Sequence, residues 1–236
     1  MRDAPRLLLV VPANNTSMEP EMRALCPGVA HIDVARVARP PRMLTVADLP
    51  AYGETTLASV GPLLAPRPDL VVYGCTAAGF LAGPQGNKRI VDALAAETGA
   101  GVISTAESMV AVLRHAGTAS TTLVTPYLDA VNDGLTRYLE ASGIAIEALS
   151  TFACRTIDEL GRVTQAHVLE RALATVTLAS RSLFIACSQL PTLDVIEPLR
   201  QRLGIPVWSS IGATAWMALR ALSRSPTGRG AEEIRA

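Results

Sequence analysis

Residues 6–17 read RLLLVVPANNTS, an apolar run that passes directly into a polar turn. The apolar part ends at Val11 and has the length of a buried strand, far short of the roughly 20 apolar residues that span a bilayer. The polar part begins at Pro12, and its Pro, Asn, Thr and Ser residues are typical of a loop. We therefore predict that the chain opens with a buried β-strand and not with a signal sequence.

The same alternation of short apolar runs with longer stretches of helical periodicity recurs along the chain. The predicted strands are Arg6–Val11, His31–Val37, Asp69–Gly74, Gly101–Ser104, Thr121–Thr125, Ile144–Ser150, Ser182–Ala186 and Pro206–Trp208. Helical patterns begin after them near Met18, Val46, Lys88, Ala106, Tyr127, Thr164, Leu193 and Gly212. Strands that alternate with helices indicate βαβ units and an α/β fold with parallel sheets.

Glycines follow four of the predicted helices, at positions where a left-handed C-terminal cap favours glycine. They are Gly99, Gly117, Gly143 and Gly204. The order of elements repeats between the two halves: Cys75 and Cys187 end the third strands, Val11 and Thr125 end the first, and both pairs have nearly the same spacing. We therefore expect two pseudo-symmetric lobes, each a four-stranded parallel sheet flanked by helices. The expected boundaries are 1–117 for the N-terminal lobe, 118–224 for the C-terminal lobe and 225–236 for a flexible tail.

The composition excludes several classes of function. Of 236 residues, 21 are basic and 21 are acidic, so the formal charge is zero and no basic surface for nucleic acid is expected. The four cysteines and three histidines show neither CxxC nor any other metal-ligand spacing, so we expect no metal site and no disulfide framework. The histidines are predicted to lie on the surface or at helix ends. This use of cysteine suits a reducing cytoplasm, and no membrane partner is expected.

Polar residues and cysteines follow the first and third predicted strands of each half. They are Pro12-Ala13-Asn14-Asn15-Thr16-Ser17 and Pro126-Tyr127 after the first strands, and Cys75-Thr76-Ala77 and Cys187-Ser188-Gln189 after the third strands. In open α/β sheets, ligands bind beyond the carboxyl ends of the strands. We therefore expect these segments to line one active-site cleft between the lobes.

A cysteine at each of two mirrored strand ends indicates chemistry. The pKa of a thiol lies close to neutrality and falls further beside a helix N-terminus, so Cys75 and Cys187 are suited to act as acid, base or nucleophile. For a single cysteine after an apolar strand the alternative is a small buried side chain, but a mirrored pair favours the catalytic interpretation. Cys26 and Cys154 have no mirrored counterpart and are predicted to be structural.

Other polar segments leave two interpretations open. Asn14–Ser17 either caps the next helix or directs an asparagine amide towards a substrate carboxylate. Tyr127 either packs in the core or donates its hydroxyl to the same carboxylate. Arg39 and Arg42 either reach a substrate carboxylate or are exposed. The segment Gly83–Gly86 is predicted as a turn, because the residues after it do not complete a phosphate-loop motif.

Four segments, in the same order, give the chain a resemblance to a known family. They are Val11-Pro12-Ala13-Asn14-Asn15-Thr16-Ser17-Met18-Glu19, Gly74-Cys75-Thr76, Thr125-Pro126-Tyr127-Leu128-Asp129-Ala130-Val131-Asn132 and Cys187-Ser188-Gln189-Leu190-Pro191-Thr192-Leu193-Asp194. On these motifs the chain resembles the aspartate/glutamate racemase superfamily, in particular the branch that contains maleate cis-trans isomerases and arylmalonate decarboxylases. The resemblance covers most of the chain and implies a two-lobe fold that holds its substrate in the interlobe cleft without a metal or an organic cofactor.

The resemblance also implies roles for individual residues. Cys75 and Cys187 are the implied catalytic pair: in the isomerase branch the first-lobe cysteine adds to the double bond of maleate, and the second-lobe cysteine is its acid or base partner. The implied substrate-binding positions are Asn15, Thr76, Ala77, Tyr127, Ser188 and Gln189. We therefore expect a cofactor-independent isomerase that converts maleate to fumarate and works as a homo-oligomer in the cytoplasm.

Three alternative functions stay open. Arylmalonate decarboxylases have glycine where this chain has Cys75, which argues against a pure decarboxylase. Racemases of the wider superfamily use both cysteines as opposed proton carriers, so racemisation of an amino acid, a hydantoin or an arylaliphatic acid is the second alternative. The third is a carboxylate-binding protein without activity. Maleate isomerases carry an asparagine in a second-lobe loop, but residues 156–161 supply none, and Asp158 or Glu159 would repel a dicarboxylate there unless exposed.

Overall fold

The computed structural model describes residues 5–27, 29 and 31–222. These residues form two four-stranded sheets, one in each half of the chain, and every strand pair is parallel. The predicted flexible tail, residues 225–236, lies outside the described residues. Among the residues that are described, no helix has the length and the hydropathy needed to cross a bilayer.

The two sheets have the same strand order. The first contains β1 (Arg6–Pro12), β2 (His31–Val37), β3 (Leu70–Tyr73) and β4 (Gly101–Ser104), in the order β2-β1-β3-β4. The second contains β5 (Ser120–Thr125), β6 (Ala145–Thr151), β7 (Leu183–Ile185) and β8 (Val207–Ser209), in the order β6-β5-β7-β8. The predicted α/β fold of two pseudo-symmetric lobes is confirmed, and each predicted strand end is within one residue of the observed one.

Helices connect the strands and cover the sheets. In the first half they are α1 (Met18–Leu25), α2 (Leu49–Val60), α3 (Thr76–Leu81), α4 (Gly83–Thr98) and α5 (Thr105–His115). In the second half they are α6 (Asp129–Glu140), α7 (Ile157–Gly161), α8 (Gln165–Thr175), α9 (Ile196–Leu203) and α10 (Ser210–Ala221). Short 3-10 turns at Val46–Asp48 and Gly61–Leu63 flank α2.

Three local features differ from the sequence prediction. The helices α3 and α7 are missing from it, because six and five residues are too few to show helical periodicity. The predicted turn at Gly83–Gly86 is wrong beyond its first residue: Gly83 has a φ of 68°, but α4 begins there. Pro84 lies in the first turn of α4, where its missing N–H leaves no hydrogen bond unmade. The helix predicted near Leu193 begins at Ile196, so a longer loop follows Cys187.

The ends of the helices are set by caps. The predicted glycine caps all have positive φ, between 66° and 80°, namely Gly99, Gly117, Gly143 and Gly204. Ser104 and Ser209 begin helices at equivalent places in the two lobes, where each hydroxyl accepts a backbone N–H, from Glu107 at 3.1 Å and from Gly212 at 2.9 Å. These caps let the fourth strand of each lobe pass directly into a helix.

One hydrophobic core joins the two lobes. The strand β1 buries alternate side chains on opposite faces: Leu7 and Leu9 face this shared core, whereas Leu8 and Val10 face a smaller core that includes residues of α2. The helix α10 of the second half packs against α1 and α5 of the first half. The lobes are therefore one packed unit, which brings the carboxyl ends of the two sheets together.

Candidate active site

Cys75 and Cys187 lie on one small cavity at the carboxyl ends of the two sheets. They follow the third strands, which end at Tyr73 and Ile185, and they are only 4% and 6% exposed. The space open to the centre of a water molecule is about 20 Å³, room for one or two waters. The other lining residues are Pro12, Asn15, Arg39, Met43, Leu44, Thr76, Ala77, Tyr127, Leu160, Ser188 and Gln189. The structure thus brings every residue of the predicted site to this cavity.

The strand-end loops that carry the two cysteines hydrogen-bond to each other. The backbone N–H of Ser188 donates to Oγ1 of Thr76 at 3.1 Å, and the Ser188 hydroxyl donates to the carbonyl of Gly74 at 2.7 Å. Nδ2 of Asn15 donates to the carbonyl of Ser188 at 3.0 Å. All of these groups are buried, and each cysteine adjoins one of the bonded residues. The bonds therefore fix the position of one thiol relative to the other.

Close packing requires a glycine at position 74. A Cβ there would lie 2.6 Å from Sδ of Met18 and 2.8 Å from Cγ1 of Val11, well inside normal contact distance. Without a side chain, the end of β3 can lie directly against β1 and α1. The next residue, Cys75, is the N-cap of α3. The glycine therefore sets where this cysteine enters the cavity.

Asn15 caps the next helix and Tyr127 packs in the core, and both residues also line the cavity. Oδ1 of Asn15 accepts the backbone N–H of Met18 at 2.9 Å, at the start of α1, while the residue also lines the cavity. The ring of Tyr127 packs edge-on against Phe80, with ring centroids 5.5 Å apart. The Tyr127 hydroxyl is buried and has no hydrogen-bond partner among the described residues. Leaving a buried hydroxyl unpaired costs about 1–3 kcal/mol, so this group is available to a ligand.

Burial dominates the ionisation of Cys75. It raises the pKa of the thiol, and the shift is opposed by the guanidinium of Arg39, the N–H groups of Ala78 and Ala77 and the hydroxyl of Tyr52. The N–H groups at the start of α3 lower the pKa of this thiol, as the sequence predicts, but burial raises it by more. The loss of water outweighs the cation and the donors that face the sulfur.

Cys187 has a similar environment without a cation. Burial raises the pKa of its thiol, while the N–H of Gln189 and the hydroxyl of Tyr127 lower it and Cys75 raises it further. The N–H of Gln189 points at Sγ from 3.4 Å, and it belongs to a turn rather than to the predicted helix N-terminus. The hydroxyls of Tyr127 and Tyr52 each lie near one thiol, but neither meets hydrogen-bond geometry with any described residue. Both lobes thus place a phenol beside a thiol.

Loops from both lobes border the cavity. Met43 and Leu44, which follow β2, and Leu160 of α7 contribute apolar side chains to its lining. The two loops meet directly, because Arg42 forms an antiparallel bridge with Thr156. The cavity is therefore bordered by residues of both lobes.

The charged residues of these loops differ in where they lie. Arg39 is half-buried and lines the cavity, whereas Arg42 is exposed and pairs with Asp48 at 2.6 Å. Asp158 and Glu159 are exposed and do not line the cavity. The repulsion of a dicarboxylate that these two carboxylates would cause inside the site is therefore absent.

Some residues around the cavity are not part of the sequence prediction. They are Leu44, Leu160 and, next to Cys75, Tyr52. Each follows the second strand of a lobe, and the carboxyl ends of these strands also face the cleft, which is the one signal that could have found them.

The remaining cysteines and the histidines do not line the cavity. Cys26 packs in the core, and burial raises the pKa of its thiol to about 12. Burial also raises the pKa of Cys154 to about 11, with a smaller contribution from nearby Cys187. Within the described residues, no three His, Cys, Asp or Glu side chains come together as metal ligands. The three histidines are exposed, as predicted: His31, His115 and His167.

Comparison with known proteins gives a consistent result. The family model described as Arylmalonate decarboxylase matches residues 54–234. The maleate isomerase of Nocardia farcinica is 29% identical over 225 residues, which cover 92% of this chain and 90% of that protein. The structure of the Nocardia farcinica maleate cis-trans isomerase bound to Tris has a TM-score of 0.86 at 28% identity and covers 95% of this chain and 96% of that one. A cysteine mutant of that isomerase with a covalently bound succinylcysteine intermediate has a TM-score of 0.83 at 27% identity, with coverage of 99% and 100%.

Proposed function

Because the chain belongs to the arylmalonate decarboxylase family, we propose that it is a cofactor-independent isomerase that converts maleate, or a similar cis dicarboxylate, to the trans isomer. The observation that carries the proposal is the pair of thiols, one from each lobe, on a single cavity. The succinylcysteine of the Nocardia enzyme supports the chemistry. Adding the sulfur and the proton of a thiol across the double bond of maleate gives a succinyl group on sulfur.

The electrostatics of the cavity suggest different roles for the two thiols. The guanidinium of Arg39 lowers the pKa of Cys75, and no cation is among the groups that lower the pKa of Cys187, so Cys75 is the thiol that ionises more readily. A negative charge on Cys75 raises the pKa of Cys187, which keeps Cys187 protonated. Cys75 is therefore the nucleophile, and Cys187 is the acid.

Isomerisation then needs three steps. The Cys75 thiolate forms a bond to one alkene carbon, and the electron pair of the double bond moves to the neighbouring carbon and its carboxylate. Cys187 stabilises this charge by hydrogen bonding or protonation. The carbon–carbon bond, now single, rotates, and any proton that Cys187 gave to carbon returns to the Cys187 thiolate. The electron pair left on that carbon re-forms the double bond as the carbon–sulfur bond breaks, which returns the Cys75 thiolate and releases the trans alkene. Asn15, Thr76, Ala77, Tyr127, Ser188 and Gln189 are proposed to hold the carboxylates during these steps.

Proton NMR of maleate in deuterated water tests the proposal. We expect the wild-type protein to form fumarate, and Cys75→Ala and Cys187→Ala each to lower kcat by about three orders of magnitude or more. Cys26→Ala is the matched control, because it removes a buried thiol that does not line the cavity and should keep the activity. Turnover close to wild type in either cavity variant would contradict the two-cysteine mechanism.

The same experiment reports on a second candidate. Two thiols from opposite lobes on one cavity also suit a racemase, in which one removes a proton and the other returns one to the opposite face. Racemisation exchanges the proton on the substrate α carbon for deuterium, and simple cis-trans isomerisation does not require this exchange. Deuterium uptake by aspartate, glutamate, a hydantoin or an arylaliphatic acid, with no fumarate from maleate, would favour the racemase.

The assembly and the location of the protein are further proposals. The four cysteines are free and buried, which agrees with a reducing compartment such as the cytoplasm. The family resemblance supports a homo-oligomer. Light scattering after gel filtration measures the assembly directly.

A further inference from the structure

Arg39 is the charged group of the cavity. It follows β2 and is half-buried, and no other charged side chain among the described residues lines the space around Cys75 and Cys187. Its Nε atom is buried and has no hydrogen-bond partner among the described residues. One terminal nitrogen donates to the carbonyl of Arg42 at 2.8 Å. The cavity thus contains a cation with an unused donor.

Neighbouring arginines show what Arg39 lacks. Arg36 pairs with Glu19 at 2.5 Å, and Arg42 pairs with Asp48 at 2.6 Å. In the part of the chain that the structure describes, no carboxylate lies within ion-pair distance of Arg39. A partly buried guanidinium without a counter-ion is unfavourable, and a planar carboxylate fits its fork of donors. An anion from solvent would supply the missing partner.

We propose that Arg39 binds one carboxylate of the substrate and makes the enzyme selective for small dicarboxylates over monocarboxylates, an inference that rests on the proposed isomerase function. The other polar groups of the cavity, such as the hydroxyls of Thr76 and Tyr127, are neutral and serve the second carboxylate. Met43 and Leu160 add apolar surface that suits a short carbon chain between the two carboxylates. The ligand class is therefore a compact dianion.

A carboxylate-binding role can be separated from an effect on the thiol. The Arg39 guanidinium lowers the pKa of Cys75, so its removal is expected to slow the turnover of any substrate through that thiol. Binding of a second carboxylate adds a loss that only doubly charged substrates show. Maleamate, the monoamide of maleate, has nearly the same shape as maleate and one charge less. Comparing the two substrates therefore isolates the ion pair.

Steady-state kinetics of Arg39→Gln supply the first test. We expect kcat/KM for maleate to fall about 10- to 100-fold more than kcat/KM for maleamate, the range for a hydrogen bond to a charged group. Arg39→Lys keeps the charge without the planar fork and recovers part of the loss. Arg162→Gln is the matched control, because Arg162 is exposed at the end of α7, and its removal affects both substrates equally. Equal losses for maleate and maleamate in Arg39→Gln would overturn the inference.

Calorimetric titration supplies a readout that does not depend on turnover. We expect the wild-type protein to bind succinate, and Arg39→Gln to weaken succinate binding by at least about 10-fold while changing the affinity for succinamate by less than about 3-fold. Arg39-dependent binding of succinate without isomerisation of maleate would contradict the proposed function and support the ion pair. Isomerisation of maleate by the wild-type protein, with an unchanged succinate affinity in Arg39→Gln, would support the proposed function and contradict the ion pair. A wild-type protein that does not bind succinate would also overturn the inference.

Discussion

Glu21 is a buried carboxyl group that connects the two lobes, and its removal should change how stability depends on pH. It lies on α1, is 5% exposed, and accepts hydrogen bonds from the backbone N–H of Thr192 at 2.7 Å and from the Thr192 hydroxyl at 2.9 Å. Burial raises its pKa from 4.5 to about 7; the bonds from Thr192 oppose the rise, and nearby Asp194 adds to it. The folded protein therefore keeps a proton that the unfolded chain releases at lower pH.

The size and the sign of the effect follow from this shift. Between pH 4.5 and pH 7 the unfolded chain has lost the proton of Glu21 and the folded protein has not, so the free energy of unfolding falls as the pH rises. At about 1.4 kcal/mol for each pH unit, the loss reaches about 3 kcal/mol by pH 7 and then stops. The stabilisation is fully present below pH 4.5.

Glu21→Gln replaces the protonated carboxyl group by a neutral group of the same shape. We expect the variant and the wild-type protein to have similar free energies of unfolding near pH 4.5, and the variant to be more stable by about 3 kcal/mol at pH 8. Urea denaturation from pH 4.5 to pH 8, followed by the fluorescence of Trp208 and Trp216, measures both. Glu97→Gln is the matched control, because Glu97 is exposed and its variant should follow the wild type. A Glu21→Gln variant that is less stable than the wild type at pH 8 would refute the reasoning.

Three further variants test the geometry of the site. Tyr127→Phe should raise the free energy of unfolding by about 1 kcal/mol, because an unpaired buried hydroxyl is removed. The same variant should lower kcat about 10- to 100-fold, because it removes a donor from beside Cys187. Thermal denaturation measures the first effect and steady-state kinetics the second. Gly74→Ala should lower the free energy of unfolding by about 1–3 kcal/mol, because the added Cβ would overlap with Met18. An unchanged midpoint of urea denaturation would contradict the packing argument. Ser188→Ala should lower the free energy of unfolding by about 1–2 kcal/mol, because interlobe hydrogen bonds are lost, and it should also lower kcat. A fall in stability with an unchanged kcat would mean that these bonds do not position the thiols.

The fold could be predicted because its elements are bounded by local signals. The strand β3 is a four-residue apolar run before Gly74, and β4 begins two residues after the glycine cap at Gly99, so short-range chemistry marks their ends. The helix α3, with the sequence TAAGFL, has no such signal, since it makes less than two turns and two of its residues are small alanines. Its stability comes from packing against α4, α5 and α6, which a local pattern does not report.

The cysteine pair could be predicted for a different reason. The carboxyl ends of parallel strands share one edge of a sheet, so a residue that follows a strand has a known place even when it is far away in sequence. Arg39 lies in a loop, and only the packing of that loop against the second lobe decides that its side chain lines the cavity rather than facing solvent. The contact of Glu21 with Thr192 joins residues 171 positions apart, and no spacing rule relates them.

The burial of the two thiols affects which product the enzyme forms. A double bond that is activated towards a thiolate is also activated towards hydroxide, and hydration of maleate would yield malate, a dead end for an isomerase. Because Cys75 and Cys187 are only 4% and 6% exposed, few waters can approach the double bond of a diacid that is bound between them. Burial of the thiols thus favours isomerase over hydratase chemistry without any group dedicated to that choice.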